Sequence, residues 1–212
     1  NTIGTVDDLI EKNDEFLKKF QSLFISKYTL LSESLSTVDL GDLVERTGKL
    51  LKNSEWVDDI VVDLSTMESN NMFVNNFSSG ANFATNIKSL HEFDLLYGSI
   101  RPYFRKAGFS VLAKYVAGSV YSFNTKRKDD YLWILACICS DGFHLFTDSN
   151  SQGTKMPIIN WDTFASYKVP YDKEVINSFN NEFKKLFDLT VIKIKENKKL
   201  EIIRQKLLEK YF

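Results

Sequence analysis

The side chains best able to do chemistry are few and scattered. The two histidines, His91 and His144, stand far apart in dissimilar contexts, so neither has the partner that a general base or metal ligand requires. Cys137 and Cys139 form a lone Cys-x-Cys pair. Zinc sites draw about four ligands from two such groups, and no second group exists here, so the cysteines read as small buried hydrophobes. Thr47-Gly48-Lys49 lacks the upstream glycine of a phosphate loop, and no Gly-x-Gly-x-x-Gly fingerprint occurs. The Asn/Asp-Pro-Pro-aromatic stretch of a DNA methyltransferase is missing as well. The expectation is a chain without a catalytic step, a metal or a cofactor.

What remains is the chemistry of charge and hydrogen bonding. Phe93–Phe109 reads FDLLYGSIRPYFRKAGF and brings Arg101, Arg105 and Lys106 close together, interleaved with Tyr103 and Phe104 and stiffened by Pro102. At a strand end such a cluster can aim guanidinium groups at phosphates or base edges. The alternative is that the rings are core and the cations cover them with their stems. A second basic run, Lys126, Arg127 and Lys128, lies in the polar stretch Thr125–Asp130, and by charge pattern alone it is equally a solvated turn. Asn150, Gln152, Thr154 and Lys155 share a polar loop whose donors and acceptors could follow a DNA groove. The less regular loop Ser65–Thr85 is a further place for base contacts.

Two long amphipathic helices must hold these groups. In the first, up to about Leu31, Thr5 is the expected N-cap, with Asp7 and Asp8 in the first turn. Val6, Leu9, Asn13, Phe16, Phe20 and Leu23 then step by three and four as a heptad seam, widened by Ile10, Leu17 and Phe24. The second opens at Pro170 and Asp172 and meets no further Gly or Pro before Phe212. Ile176, Phe179, Phe183, Leu186 and Phe187 form its stripe, continued by Leu200, Ile203 and Leu207. Placing Asn13 over Asn197 superposes the two helices as an imperfect repeat, with Ile10 on Ile194 and Leu23 on Leu207. A polar Asn inside an apolar seam is a device for fixing register.

Between the helices, Asp59–Leu64, Phe93–Ile100 and Val116–Phe123 read as strands, being rich in β-branched and aromatic residues. Tyr131–Cys139, apolar nearly all round, reads as a buried helix or a buried strand, with Leu132, Leu135 and Ala136 favouring the helix. Ser65–Ser79 and Thr147–Lys155 read as loops, and Trp161–Phe164 as a short helix before a final strand. The predicted organisation is an α/β (α+β) globular domain over 32–171, flanked by helices over 1–31 and 172–212 that form an antiparallel coiled coil.

Two stretches carry a family likeness. Ser99-Ile100-Arg101-Pro102-Tyr103-Phe104-Arg105-Lys106 closes a strand, and Gly153-Thr154-Lys155-Met156-Pro157-Ile158-Ile159-Asn160-Trp161 follows downstream, ending near Val169-Pro170 where a long helix begins. In this order they resemble the target-recognition domain of Type I restriction-modification specificity subunits, and Leu40-Gly41-Asp42-Leu43 resembles the usual opening of such a domain. Those subunits carry two recognition domains separated by helices and read a split DNA site. The resemblance therefore implies double-stranded DNA as ligand, modification (methyltransferase) subunits as partners, and a possible restriction subunit beyond them. This chain resembles the second half of such a subunit; a short half-subunit that makes a homodimer through its helices is the alternative, and Asn1 in place of Met suits a fragment. The recognition module of a single-chain restriction–methyltransferase and a coiled-coil scaffold for protein partners are the rival functions.

Bulk composition bounds these readings. The chain has 212 residues, 43% hydrophobic and 14% aromatic, enough for a packed core. Its 27 basic residues nearly balance its 28 acidic ones, which argues against strong free-standing, non-specific DNA binding and requires any basic surface to be local. Two cysteines are too few for a disulfide framework, and no apolar run or signal peptide points to a membrane, so a cytoplasmic protein is expected.

Overall fold

A computed structural model describes residues 2–52 and 55–211. In chain order its elements are α1 (Thr2–Ser32), β1 (Thr37–Asp39), α2 (Leu40–Leu43), β2 (Val44–Arg46), β3 (Ile60–Val62), β4 (Ser78–Ser79), β5 (Ile87–Ser89) and β6 (Leu95–Gly98). There follow β7 (Ala107–Phe109), β8 (Tyr115–Ala117), β9 (Val120–Thr125), α3 (Tyr131–Ile138), α4 (Asp141–Ser149), α5 (Trp161–Ala165), β10 (Lys168–Pro170) and α6 (Lys173–Tyr211). Among the described residues the strands form two four-stranded sheets, β2-β9-β6-β7 and β4-β3-β8-β5, and a small β1-β10 pair where the domain meets its helices.

The two long helices pack antiparallel. Asp7 pairs with Arg204, Asn13 with Asn197 and Lys27 with Glu182, so one index falls as the other rises. Their shared core is aromatic: the Phe24 ring lies 5.1 Å from Phe179 and 5.2 Å from Phe183, and Phe20 lies 6.2 Å from Phe183. At such spacings edge and tilted ring contacts add to the burial of apolar area. The buried positions on α1 are Val6, Asn13, Leu17, Phe20, Phe24 and Tyr28. The expected seam is thus half right: Leu9 and Leu23 point outward, and Leu17 and Phe24 take the inner places. The helix serves two surfaces, because Tyr28 also leans on Trp133 of α3 with ring centroids 4.6 Å apart. That second surface rotates the buried stripe away from a pure heptad. On α6, Ile176, Phe179, Phe183, Phe187 and Ile194 are buried, whereas Ile203 is exposed.

Other expectations need correction. Thr5 is not an N-cap, because α1 already runs from Thr2 and no acidic residue falls in its first turn. Val116–Phe123 is not one strand: it splits at Gly118 into β8 and β9, which belong to different sheets. The Gly118 N–H bonds to the Asn86 carbonyl and Ser99 N–H to that of Ser119, so the chain turns a corner where a periodicity-2 pattern looks continuous. Thr147–Ser149 is helical, the last turn of α4, so the loop there begins at Asn150. The Ser65–Ser79 loop ends in the two-residue strand β4.

Tyr131–Ile138 is the buried helix expected, with every residue from Leu132 to Ile138 inside. A helix that is apolar all round has to be enclosed on all sides, and α1, α6, β7 and β9 enclose α3. Local caps set the boundaries around it. The Ser140 hydroxyl accepts from Phe143 N–H to start α4, Asn160 accepts from Thr163 N–H to start α5, and Asp172 accepts from Glu174 and Val175 N–H to start α6.

Candidate nucleic-acid interface

The two motif-bearing stretches, separate in sequence, meet in space. Ile100 bridges to Ile158, Arg101 N–H donates to the Pro157 carbonyl at 2.7 Å, and Ile159 N–H donates to Ser99 at 3.0 Å. Pro102–Phe104 form a single 3-10 turn, flanked by Arg101 (φ 52°, ψ 62°) and Arg105 (φ 53°, ψ 49°), both left-handed. A non-glycine residue in this region costs of order 1–3 kcal/mol and persists only where its surroundings enforce it. The facing loop is equally constrained: Gln152 and Ile158 exchange both backbone hydrogen bonds at 2.9 Å, and Gly153 takes φ 107° to close the turn. Thr154, Lys155 and Met156 are left exposed at its tip.

The candidate cations divide by what already holds them. The Arg105 guanidinium donates to Asp141 at 2.7 Å, and the Lys106 ammonium donates to the Leu64 carbonyl. Partial burial lowers the Lys106 pKa, with nearby Asp63 opposing. Lys126 donates to the Gly41 carbonyl at 2.8 Å, and Arg127 stands 4.0 Å from buried Asp130. Arg101, Lys128 and Lys155 are exposed and make no side-chain ion pair or hydrogen bond. Asn150 uses its amide to cap α4 through the Phe146 carbonyl. The basic run at 126–128 does not join the Arg101 turn. It follows the Thr125 end of β9, whereas Gly98, before the turn, pairs with Val120 at the other end. Six residues of strand separate them, about 20 Å.

Cations that sequence reasoning passed over lie nearer. The Arg46 guanidinium sits 5.4 Å from the Tyr121 ring centroid and 5.2 Å from that of Trp161. Tyr121 in turn donates its hydroxyl to the Ile159 carbonyl at 2.7 Å, which ties Arg46 to the second motif stretch. Lys88 has its pKa lowered by burial first and by the Arg46 charge second. Exposed Lys49 precedes Leu50, which bridges to Lys88, and exposed Lys52 follows. The every-third-residue spacing of Arg46, Lys49 and Lys52 was the available signal; Lys88 joins them only through strand pairing.

The remaining polar groups serve the interior. His144 is buried against Tyr97, whose hydroxyl lies 3.4 Å from Nδ1 and 2.6 Å from the Thr147 hydroxyl, and burial pushes the imidazole pKa down to about 4. Burial likewise pushes the Cys137 thiol up to about 12 and raises that of Cys139, which leaves both unreactive as thiolates. Among the described residues no group of three or more His, Cys, Asp or Glu is placed to hold a metal ion, and no helix is long and apolar enough to cross a membrane.

No family model and no curated protein matches the sequence. Solved structures do match. The Type I restriction-modification S subunit from M. genitalium aligns with 99% of this chain and 56% of its own, at 16% identity and a TM-score of 0.57. The HsdS subunit from Thermoanaerobacter tengcongensis aligns with 99% of this chain and 54% of its own, at 10% identity and a TM-score of 0.48. The chain thus spans about half the length of the solved S subunits it matches. Its mixed α/β domain between long N- and C-terminal helices has the fold of a Type I restriction-modification specificity subunit over that half.

Proposed function

We propose that this chain reads DNA as one half of a Type I specificity subunit, recognising one part of a bipartite target and docking the methyltransferase subunits without a catalytic step of its own. The observation that carries this reading is the fold: the α/β domain with its antiparallel helical pair aligns over 99% of this chain with 56% of the M. genitalium S subunit. In this reading the domain occupies 32–171, between the long helices α1 and α6. Arg101, Lys155 and Lys128 are the phosphate-facing cations, joined by Arg46, Lys49 and Lys52. Arg105, Lys106, Lys126 and Arg127 keep their intramolecular partners and shape the surface rather than bind first. Gln152 and Thr154 offer hydrogen bonds from the loop, and Asn150 holds its base.

Phosphate contacts position a protein on the duplex, and base-edge contacts specify the sequence. With a formal net charge of −1 the chain has few spare cations, so partner subunits must supply much of the phosphate binding. The deciding experiment is co-purification with the neighbouring modification subunit, followed by selection from a randomised duplex pool at moderate salt. Enrichment of a short motif supports the reading. Two inverted copies at fixed spacing would add a homodimer to it, and a stable complex that enriches nothing would leave a protein scaffold.

A further inference from the structure

The Arg101–Arg105 turn presents two large rings to solvent where the rest of the domain hides its aromatics. Tyr103 is 46% exposed and Phe104 41% exposed, whereas nearby Tyr97, Phe109, Phe143 and Phe164 are all buried. Exposed Leu145, Met156 and Ile158 extend the apolar patch from α4 and from the facing loop. The rings are held, not loose. Two left-handed arginines clamp the turn, Phe104 N–H bonds to the Arg101 carbonyl at 2.9 Å, and Arg105 is anchored on Asp141. A rigid turn with two strained residues is an expensive way to expose two rings unless something takes them up.

Shape and charge choose the occupant. The two ring centroids are 4.7 Å apart with planes inclined at 54°, and the Lys106 ammonium covers one face of Phe104 at 5.6 Å. The inclined rings make a ridge rather than a flat platform, a shape better suited to a wedge than to the parallel stacking of an extruded base. Unpaired Arg101 opens the turn and unpaired Lys155 stands on the facing loop. The acidic residues of adjoining α4 are Asp141, already paired with Arg105, and Asp148. An apolar ridge flanked by free cations suits a duplex: the cations bind phosphates while the ridge enters between base steps and opens them.

Resting on the DNA-reading function proposed above, we propose that Tyr103 and Phe104 form a wedge that partly unstacks and bends the duplex beside the recognised bases. The site contributes deformation energy to recognition, so the flanking step, though not read by hydrogen bonds, affects affinity. The test uses the full chain, with and without the modification subunit, on duplex enriched from a randomised pool, with bending read by end-to-end energy transfer. Tyr103→Ala/Phe104→Ala is expected to weaken binding about ten-fold and to remove the bend. Tyr103→Leu/Phe104→Leu, which keeps apolar bulk without flat rings, is expected to stay within about two-fold of the parent and to bend the duplex. Thermal unfolding should show the leucine variant close to the parent and the alanine variant still folded at the assay temperature; single Tyr103→Ala serves if the double variant does not fold. A bend unchanged in the alanine variant overturns the wedge, as does a leucine variant that fails like alanine. An alanine variant that keeps the bend but loses the modification subunit makes the patch a protein-docking surface instead. If the parent chain enriches no DNA in either state, the DNA-reading function itself fails and the wedge with it.

Discussion

At the scale of single residues, the interface is best understood by asking which polar groups are already satisfied. Arg105 and Lys106 sit in a basic motif stretch, yet an Asp141 carboxylate and a Leu64 carbonyl occupy them. Arg101 and Lys155 are free. Each phosphate neutralised contributes about 0.9 to the slope of log affinity against log salt. Arg101→Ala with Lys155→Ala should therefore flatten that slope by about two in fluorescence titrations across a salt series, while leaving the enriched motif unchanged. His144 supports a second prediction. Its folded pKa of about 4 lies below the 6.5 of a free imidazole, so the unfolded chain binds the proton more readily. Stability is full above about pH 6.5 and falls as pH drops toward 4, by about 2 kcal/mol between pH 7 and pH 5. Urea unfolding at those two pH values should show the loss, and His144→Gln should largely abolish the pH dependence.

At the scale of elements, the helical pair carries a polar knot in an aromatic seam. Asn13 donates to Asn197 at 2.7 Å and to Glu196 at 3.1 Å, while Asn197 donates to Asp14 at 2.8 Å. The repeat that superposes Asn13 on Asn197 also makes them face one another, because an antiparallel pair brings matching positions together about a local two-fold. Asn13→Leu alone should cost about 1–3 kcal/mol in denaturant unfolding, since it leaves the buried Asn197 side-chain carbonyl oxygen without its donor. The double change Asn13→Leu/Asn197→Leu should recover most of that, leaving a non-additive cycle, and should loosen the register of the helices. The seam was legible only in part. The three-and-four spacing announces a helix and a buried face, but α1 also packs on α3 through Tyr28 and Trp133. Which of Leu9 and Leu17 turns inward depends on that second neighbour, which a heptad count along one helix does not contain.

At the scale of the whole molecule, the near-neutral charge and the shared fold have to be reconciled. The chain has 27 basic and 28 acidic residues, and several of its cations are committed internally. Alone, it should bind non-specific duplex weakly and with a shallow salt dependence; with a modification subunit present, the slope should steepen by several units as further phosphates are engaged. Equal slopes in the two states, measured on the same duplex, would mean the partner makes no phosphate contacts. The rod and the domain are joined by more than chain continuity. Gln21 of α1 donates to the Asn70 carbonyl at 2.7 Å and accepts from Met72 N–H at 2.9 Å, so the α/β domain is fastened to the helix that carries it. Gly108 is required at this junction, since a side chain there would collide with the Met72 carbonyl. Gly108→Ala should accordingly lower the thermal midpoint by several degrees in a calorimetric scan.

Composition and periodicity alone determined the long terminal helices and the cores of β3 and β6, and favoured helix over strand for the buried Tyr131–Cys139 segment, whereas the two motif stretches stood out by family resemblance. Those signals are local: they follow from spacing along one element and from the residues that cap it. Only the tertiary structure decided that Val116–Phe123 divides between two sheets, because the corner at Gly118 is made by Asn86 and Ser99 from elsewhere in the chain. It also decided which cations remain free. The pairing of Arg105 with Asp141, the approach of Arg46 to Trp161, and the 20 Å or so between the Lys126–Lys128 run and the Arg101 turn all depend on contacts between distant segments. A charge pattern in sequence records which groups exist, but whether a cation is available to a ligand depends on which acceptors the fold brings within reach of it.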